Sequence, residues 1–116
     1  MVAKVYSAVP RGVEALPVQV EVDARRGLPQ LSVVGLPDPA VREARERVLS
    51  AIRHLGCDIP TRSIVVNLSP AEERKEGALL DLAMAAGVLI AAGLVSEANS
   101  TPEWLVGELS LDGALR

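Results

Sequence analysis

RKEGALLDLAMAAGVLIAAG, residues 74–93, begins as a charged turn ending at Gly77 and passes directly into a run of apolar residues. Hydrolases often place a nucleophile on such a turn, and nucleotide-binding proteins a phosphate loop, so this stretch decides both fold and chemistry. Residues 82–95 are wholly apolar. A bilayer-spanning helix needs about 20 apolar residues, and this run is shorter, rich in Ala and Gly, and edged by Asp81. It is therefore expected as a helix over about 79–92, buried on most sides inside a protein.

The turn itself fits no nucleotide site. A phosphate loop needs glycines upstream of a lysine and a hydroxyl after it, so that backbone amides and an ammonium converge on phosphate at a helix start. Here Lys75 precedes Gly77 and no hydroxyl follows. Glu72, Glu73 and Glu76 share one charged turn and are expected to be solvated. A serine nucleophile would need a lysine of lowered pKa as its base. Ser69 and Lys75 lie at a suitable sequence distance, but both are expected in a polar, exposed turn where a lysine keeps its charge. Read from its residues, the segment is non-catalytic.

Upstream, SIVVNL (63–68) is apolar enough for a central strand buried on both faces. SPAE, with Ser69 three places before Glu72, reads as a capping box and predicts a short helical turn through Arg74. Further upstream, LPDPAVREARERVLSAIRHLG predicts a helix with Asp38 as N-cap, Pro39 in its first turn and Gly56 as its stop. Val41, Ala44, Val48, Ile52 and Leu55 make its apolar stripe. Its other face carries Arg42, Glu43, Arg45, Glu46, Arg47 and Arg53, with Glu43 and Arg47 spaced as a favoured i,i+4 pair. That face reads either as a solvated surface or as a contact for nucleic-acid phosphate or a neighbouring subunit.

Residues 2–9 and 16–23 predict strands, the second alternating Val18, Val20 and Val22 against Gln19, Glu21 and Asp23. Gly27 and Pro29 punctuate a turn into QLSVVGL, which predicts an antiparallel pair with Arg25 and Arg26 at its tip. WLVGELSL predicts a last strand, followed by an Asp112-Gly113 turn and the start of a partner strand. That turn has little chain left to pair with, so a fragment of a longer protein is expected. The whole reads as one α+β domain over 1–116: a mixed sheet with two main helices packed on it, in the order strand-strand-strand-helix-strand-helix-strand.

Composition narrows the function. At 116 residues and 49% hydrophobic, the chain suffices for one domain with a real core but not two. A net charge of −3 and the absence of a long basic run leave only a local patch for nucleic acid. With Cys57 and His54 each alone of their kind, neither a disulfide nor a Cys/His metal site can form within the chain. A reducing, cytoplasmic setting with no membrane contact is expected. Only Tyr6 and Trp104 are aromatic, which disfavours a base-stacking single-strand binder.

VEVDARRGLPQLSVVGLPDPAVREARERV, IVVNLSPAEERKEG, DLAMAAGVL and GELSLDG, in this order and over nearly the whole chain, resemble the N-terminal domain of the ComM/YifB family of magnesium-chelatase-like AAA+ proteins. The resemblance implies a fold like that of Lon-protease and ribosomal-protein domains, ahead of an ATPase module that would hold ATP and Mg2+. Active Lon-type peptidases carry a turn similar to Lys-Asp-Gly-Pro-Ser-Ala-Gly. Lys75, Glu76 and Gly77 match its start, but Leu79 stands at the serine, and Leu80 and Asp81 replace Ala-Gly. Leu80 and Ala83 stand where the family commonly has an aromatic residue and a proline. No catalytic, cofactor or metal residue is therefore expected here. The family resemblance implies a hexameric motor that moves DNA branch points in natural transformation. This domain is expected to serve assembly with its own ATPase module or DNA engagement, with Arg25, Arg26, Arg42, Arg45 and Arg53 as candidate contacts. A stand-alone interaction module and a Lon-like peptidase are the alternatives.

Overall fold

The computed structural model describes all residues except 1, 36, 58–61, 72, 74, 76, 96–103 and 116. Strands β1 (Val2–Arg11), β2 (Glu14–Arg26) and β3 (Gln30–Val34) precede helix α1 (Pro39–His54), then strand β4 (Arg62–Ser69) and helix α2 (Asp81–Ala91). The α+β architecture expected from the sequence is present: a four-stranded mixed sheet in the order β1-β2-β4-β3, with both helices packed on it.

Alternation sets the layers, because successive strand residues face opposite sides. Ala3, Val5 and Val9 on β1, Val18, Val20, Val22 and Ala24 on β2, and Ile64, Val66 and Leu68 on β4 are buried. They meet Val41, Ala44, Val48 and Ile52 of α1 and Ala83, Met84 and Val88 of α2 in one core. Gly87 lets α2 approach the sheet closely: a Cβ there would come within 2.6 Å of Val22 Cγ2. The other sheet face is polar and wet, with Asn67 donating to Glu21 at 3.1 Å and Gln30 to Ser63 at 3.2 Å.

Asp38 caps α1 through Val41 N at 2.8 Å, Pro39 lies in the first turn and Gly56 adopts a φ of 79°. These features were legible in the sequence.

Several details differ from expectation. β2 and β3 do not pair: antiparallel β2 and parallel β3 lie on opposite sides of β4. The connection after Arg26 passes over the start of β4, where a Cβ on Gly27 would meet Ser63 Cβ at 3.3 Å. β4, interior like β2, brings Ile64, Val66 and Leu68 to the core. It is central but buried on one face only, since Val65 is 40% exposed. Ser69 ends β4 instead of capping a helix, and the described part of the following segment holds a turn with Glu73 N donating to Pro70 O at 3.4 Å. The Glu72 and Arg74 parts of that expectation lie outside the described residues. Leu55 does not complete the α1 stripe but is 62% exposed, as the residue just past the helix. The last predicted strand is reduced to isolated bridges, Tyr6 with Trp104 and Leu109 with Leu115, around a turn in which Gly113 N donates to Ser110 O at 3.0 Å.

Candidate functional site

The turn between β4 and α2 is built into the fold. Lys75 is fully buried, not exposed as its charged neighbours suggested. Its Nζ donates to Gly35 O at 2.8 Å and also to Pro70 O. Asp38 N donates to Lys75 O at 3.0 Å, and Asp38 Oδ2 accepts from Gly77 N at 3.3 Å. One ammonium and one carboxylate thus join the β3–α1 connection to the turn, supplying partners to backbone groups of Gly35, Pro70 and Gly77. At Gly35 a φ of 105° and a would-be Cβ only 2.1 Å from Leu68 O leave room for glycine alone. Glu73 reaches away to pair with Arg11, while Glu76 lies outside the described residues.

Asp81, first residue of α2, is also fully buried. Arg47 grips it through Nε at 2.6 Å and Nη2 at 3.0 Å, and Nη2 also donates to Ala40 O at 2.9 Å. Leu109 N donates to the same carboxylate at 3.1 Å. The Arg47 pKa is raised chiefly by the hydrogen bond to Asp81, against the opposing cost of burial, with the charges of Asp81, Glu108 and Glu43 adding to it. Arg47 therefore does not stand on the solvated face paired with Glu43, as its spacing suggested. It flanks Ala44 and Ala51 at the edge of the apolar stripe. An acidic residue opening an otherwise apolar helix was a readable sign of a buried partner. Lys75, set among charged residues, gave no such sign.

Leu79 stands at the position of the peptidases' serine and supplies only its carbonyl, which accepts Gly107 N at 2.9 Å. Among the described residues, no group of His, Cys, Asp and Glu could hold a metal ion, and no helix is long and apolar enough to cross a membrane.

The candidate arginines are all exposed, but they do not form one patch. Arg42, Arg45 and Arg53 run along the outer side of α1, whereas Arg25 and Arg26 end β2. Because β3 and β4 are parallel, α1 must return to the end of the sheet where both begin, which is also where antiparallel β2 finishes. Arg53 thus lies toward the Arg25–Arg26 end, and Arg42 and Arg45 toward the other. Arg25 is paired with Asp23 at 2.6 Å, and Arg45 lies 3.6 Å from Glu46. Arg26, Arg42 and Arg53 make no ion pair among the described residues.

The family described as subunit ChlI of Mg-chelatase matches residues 20–116. Among curated relatives, the uncharacterized protein YifB of Escherichia coli is 47% identical over 113 residues, covering 97% of this chain and 22% of the relative. YifB of Salmonella typhimurium is 45% identical over 114 residues, 98% of this chain and 22% of the relative. The competence protein ComM of Haemophilus influenzae is 40% identical over 114 residues, with the same coverage. The chain spans about a fifth of the length of these relatives. With a family match over residues 20–116 and relatives 40–47% identical over nearly all of its length, the chain belongs to the family of subunit ChlI of Mg-chelatase, as the N-terminal domain of its YifB and ComM members.

Proposed function

We propose that this domain is a non-catalytic front piece of a ComM-type ATPase, serving assembly or DNA engagement while ATP and Mg2+ bind in a downstream module. The division of its charges carries this reading. Lys75, Asp81 and Arg47 are spent on internal contacts, whereas Arg26, Arg42 and Arg53 are exposed without an ion partner among the described residues. The name of the Haemophilus influenzae relative supports a setting in competence, and the proposal extends to a cytoplasmic homo-hexamer that moves DNA branch points during recombination.

The test uses the full-length protein with Arg25, Arg26, Arg42, Arg45 and Arg53 changed to alanine. Losing two or three phosphate contacts weakens DNA binding and flattens its salt dependence. Unchanged binding at all salt concentrations removes the DNA role. A shift in subunit number by sedimentation, with DNA binding per hexamer retained, assigns the same surface to assembly instead. A peptidase role has only the fold resemblance behind it, and casein turnover above blank is the result that would revive it.

A further inference from the structure

At one end of the sheet two positive charges are set against each other. On the β2–β4 ladder Val22 opposes Val66, Ala24 opposes Ile64 and Arg26 opposes Arg62. Alternation keeps these rungs on one face of the sheet, the face that carries the helices. The first two rungs are buried in the core. The third places two arginines opposite each other where β2 ends and β4 begins. Like charges directly opposed on neighbouring strands destabilise a sheet.

The described carboxylates at this end are committed elsewhere. Asp23 pairs with Arg25 at 2.6 Å, on the other face of the sheet. Asp112 lies close enough to the end of α1 to feel the charge of His54, but it accepts from Ala114 N at 2.9 Å and from Ser110 Oγ at 2.8 Å. Arg26 is exposed and makes no ion pair among the described residues. α1 returns to the same end and brings Arg53, equally exposed and without an ion pair among the described residues. In a chain whose net charge is −3, this end concentrates cations against the overall balance.

We propose that Arg26 and Arg62 form a clamp for a phosphate group, and that the bound anion relieves the repulsion between them. Opposed residues stand with their Cβ atoms about 5 Å apart, so two guanidinium forks come within reach of one tetrahedral oxyanion. Arg62 lies outside the five arginines considered above for DNA. The clamp rests on the proposed DNA role only for the source of the phosphate, a duplex backbone.

Urea denaturation of the 116-residue chain, followed by circular dichroism, tests the clamp without DNA. Arg62→Gln is compared with the unsubstituted chain and with Arg42→Gln, in chloride and in inorganic phosphate of equal ionic strength. In chloride, Arg62→Gln should raise the folding constant about threefold, because an opposed like charge is gone. Phosphate should stabilise the unsubstituted chain and Arg42→Gln by binding their folded state, and Arg62→Gln should lack that gain. Equal gains in all three chains would reduce the effect to the general action of the salt and overturn the proposal. A loss of stability by Arg62→Gln in chloride would also overturn it, by showing that Arg62 has a partner within the fold. In the full-length protein the same substitution should lower the salt slope of duplex binding by about one. A phosphate gain that disappears while duplex binding is unchanged upholds the clamp for a free phosphate compound and counts against the DNA reading alone.

Discussion

The β4–α2 turn and the outer face of α1 look alike in sequence, each a cluster of arginine or lysine among glutamates, yet the structure uses them in opposite ways. In the turn Lys75 is buried against backbone carbonyls, and close behind it Asp81 is buried against Arg47. On α1, Arg42, Arg45 and Arg53 stand in water. Charge in a sequence marks polarity, but partners decide its place: an ionised group is buried only where specific donors or acceptors replace its water. The turn provides them because Gly35, Pro70 and Asp38 converge on it. Among the described residues that helix face finds no ion-pair partner for Arg42 or Arg53, and for Arg45 only the neighbouring Glu46.

The sharpest way to break this contrast is at Arg47. Arg47→Met leaves the buried Asp81 carboxylate without its counter-charge and should cost the fold about 3 kcal/mol. Urea denaturation followed by Trp104 reads it, and a loss below about 1 kcal/mol would place the pair among ordinary surface contacts. Lys75→Met keeps most of the apolar stem but leaves two carbonyls without their donor, and should cost about 2 kcal/mol by denaturation followed by dichroism. A neutral outcome would mean that Lys75 is not a structural residue.

A smaller and local effect is expected at Asp112. Its pKa is lowered by the hydrogen bonds from Ala114 N and Ser110 Oγ. A carboxylate whose folded pKa lies below its unfolded value contributes stability above the unfolded value and loses it as pH falls through the folded one. The Ala114 amide should therefore exchange faster below about pH 4 than at neutrality, after correction for intrinsic rates. Least affected should be the chain with Arg42, Arg45 and Arg53 changed to alanine, whose stability should stay within about 0.5 kcal/mol of the original. A larger loss would show that the outer face is structural after all.

Much of the fold was readable because its signals are local. The Asp38 cap, the Gly56 stop, the alternation of β2 and the apolar run of α2 each follow from neighbouring residues. What was not readable depends on distant partners. The insertion of β4 between β2 and β3 cannot be seen in Gly27 and Pro29, which mark a turn but not its span. Arg47 was assigned to Glu43 because four-residue spacing is visible in sequence and contact with Asp81 is not. Of the candidate contacts, the exposure of Arg42, Arg45 and Arg53 was legible in the helical period. The Asp23 partner that occupies Arg25 became evident only with side-chain geometry.

Lys4 and Lys75 are the only lysines, and they provide the most direct test of a turn built into the core. Brief acetylation of the native chain, followed by peptide mass spectrometry, compares an exposed amine with a buried one in the same molecule. Lys75 should react more slowly than Lys4 by about a hundredfold or more, in proportion to how rarely its surroundings open. Equal rates at the two amines would place Lys75 on the surface and contradict the account.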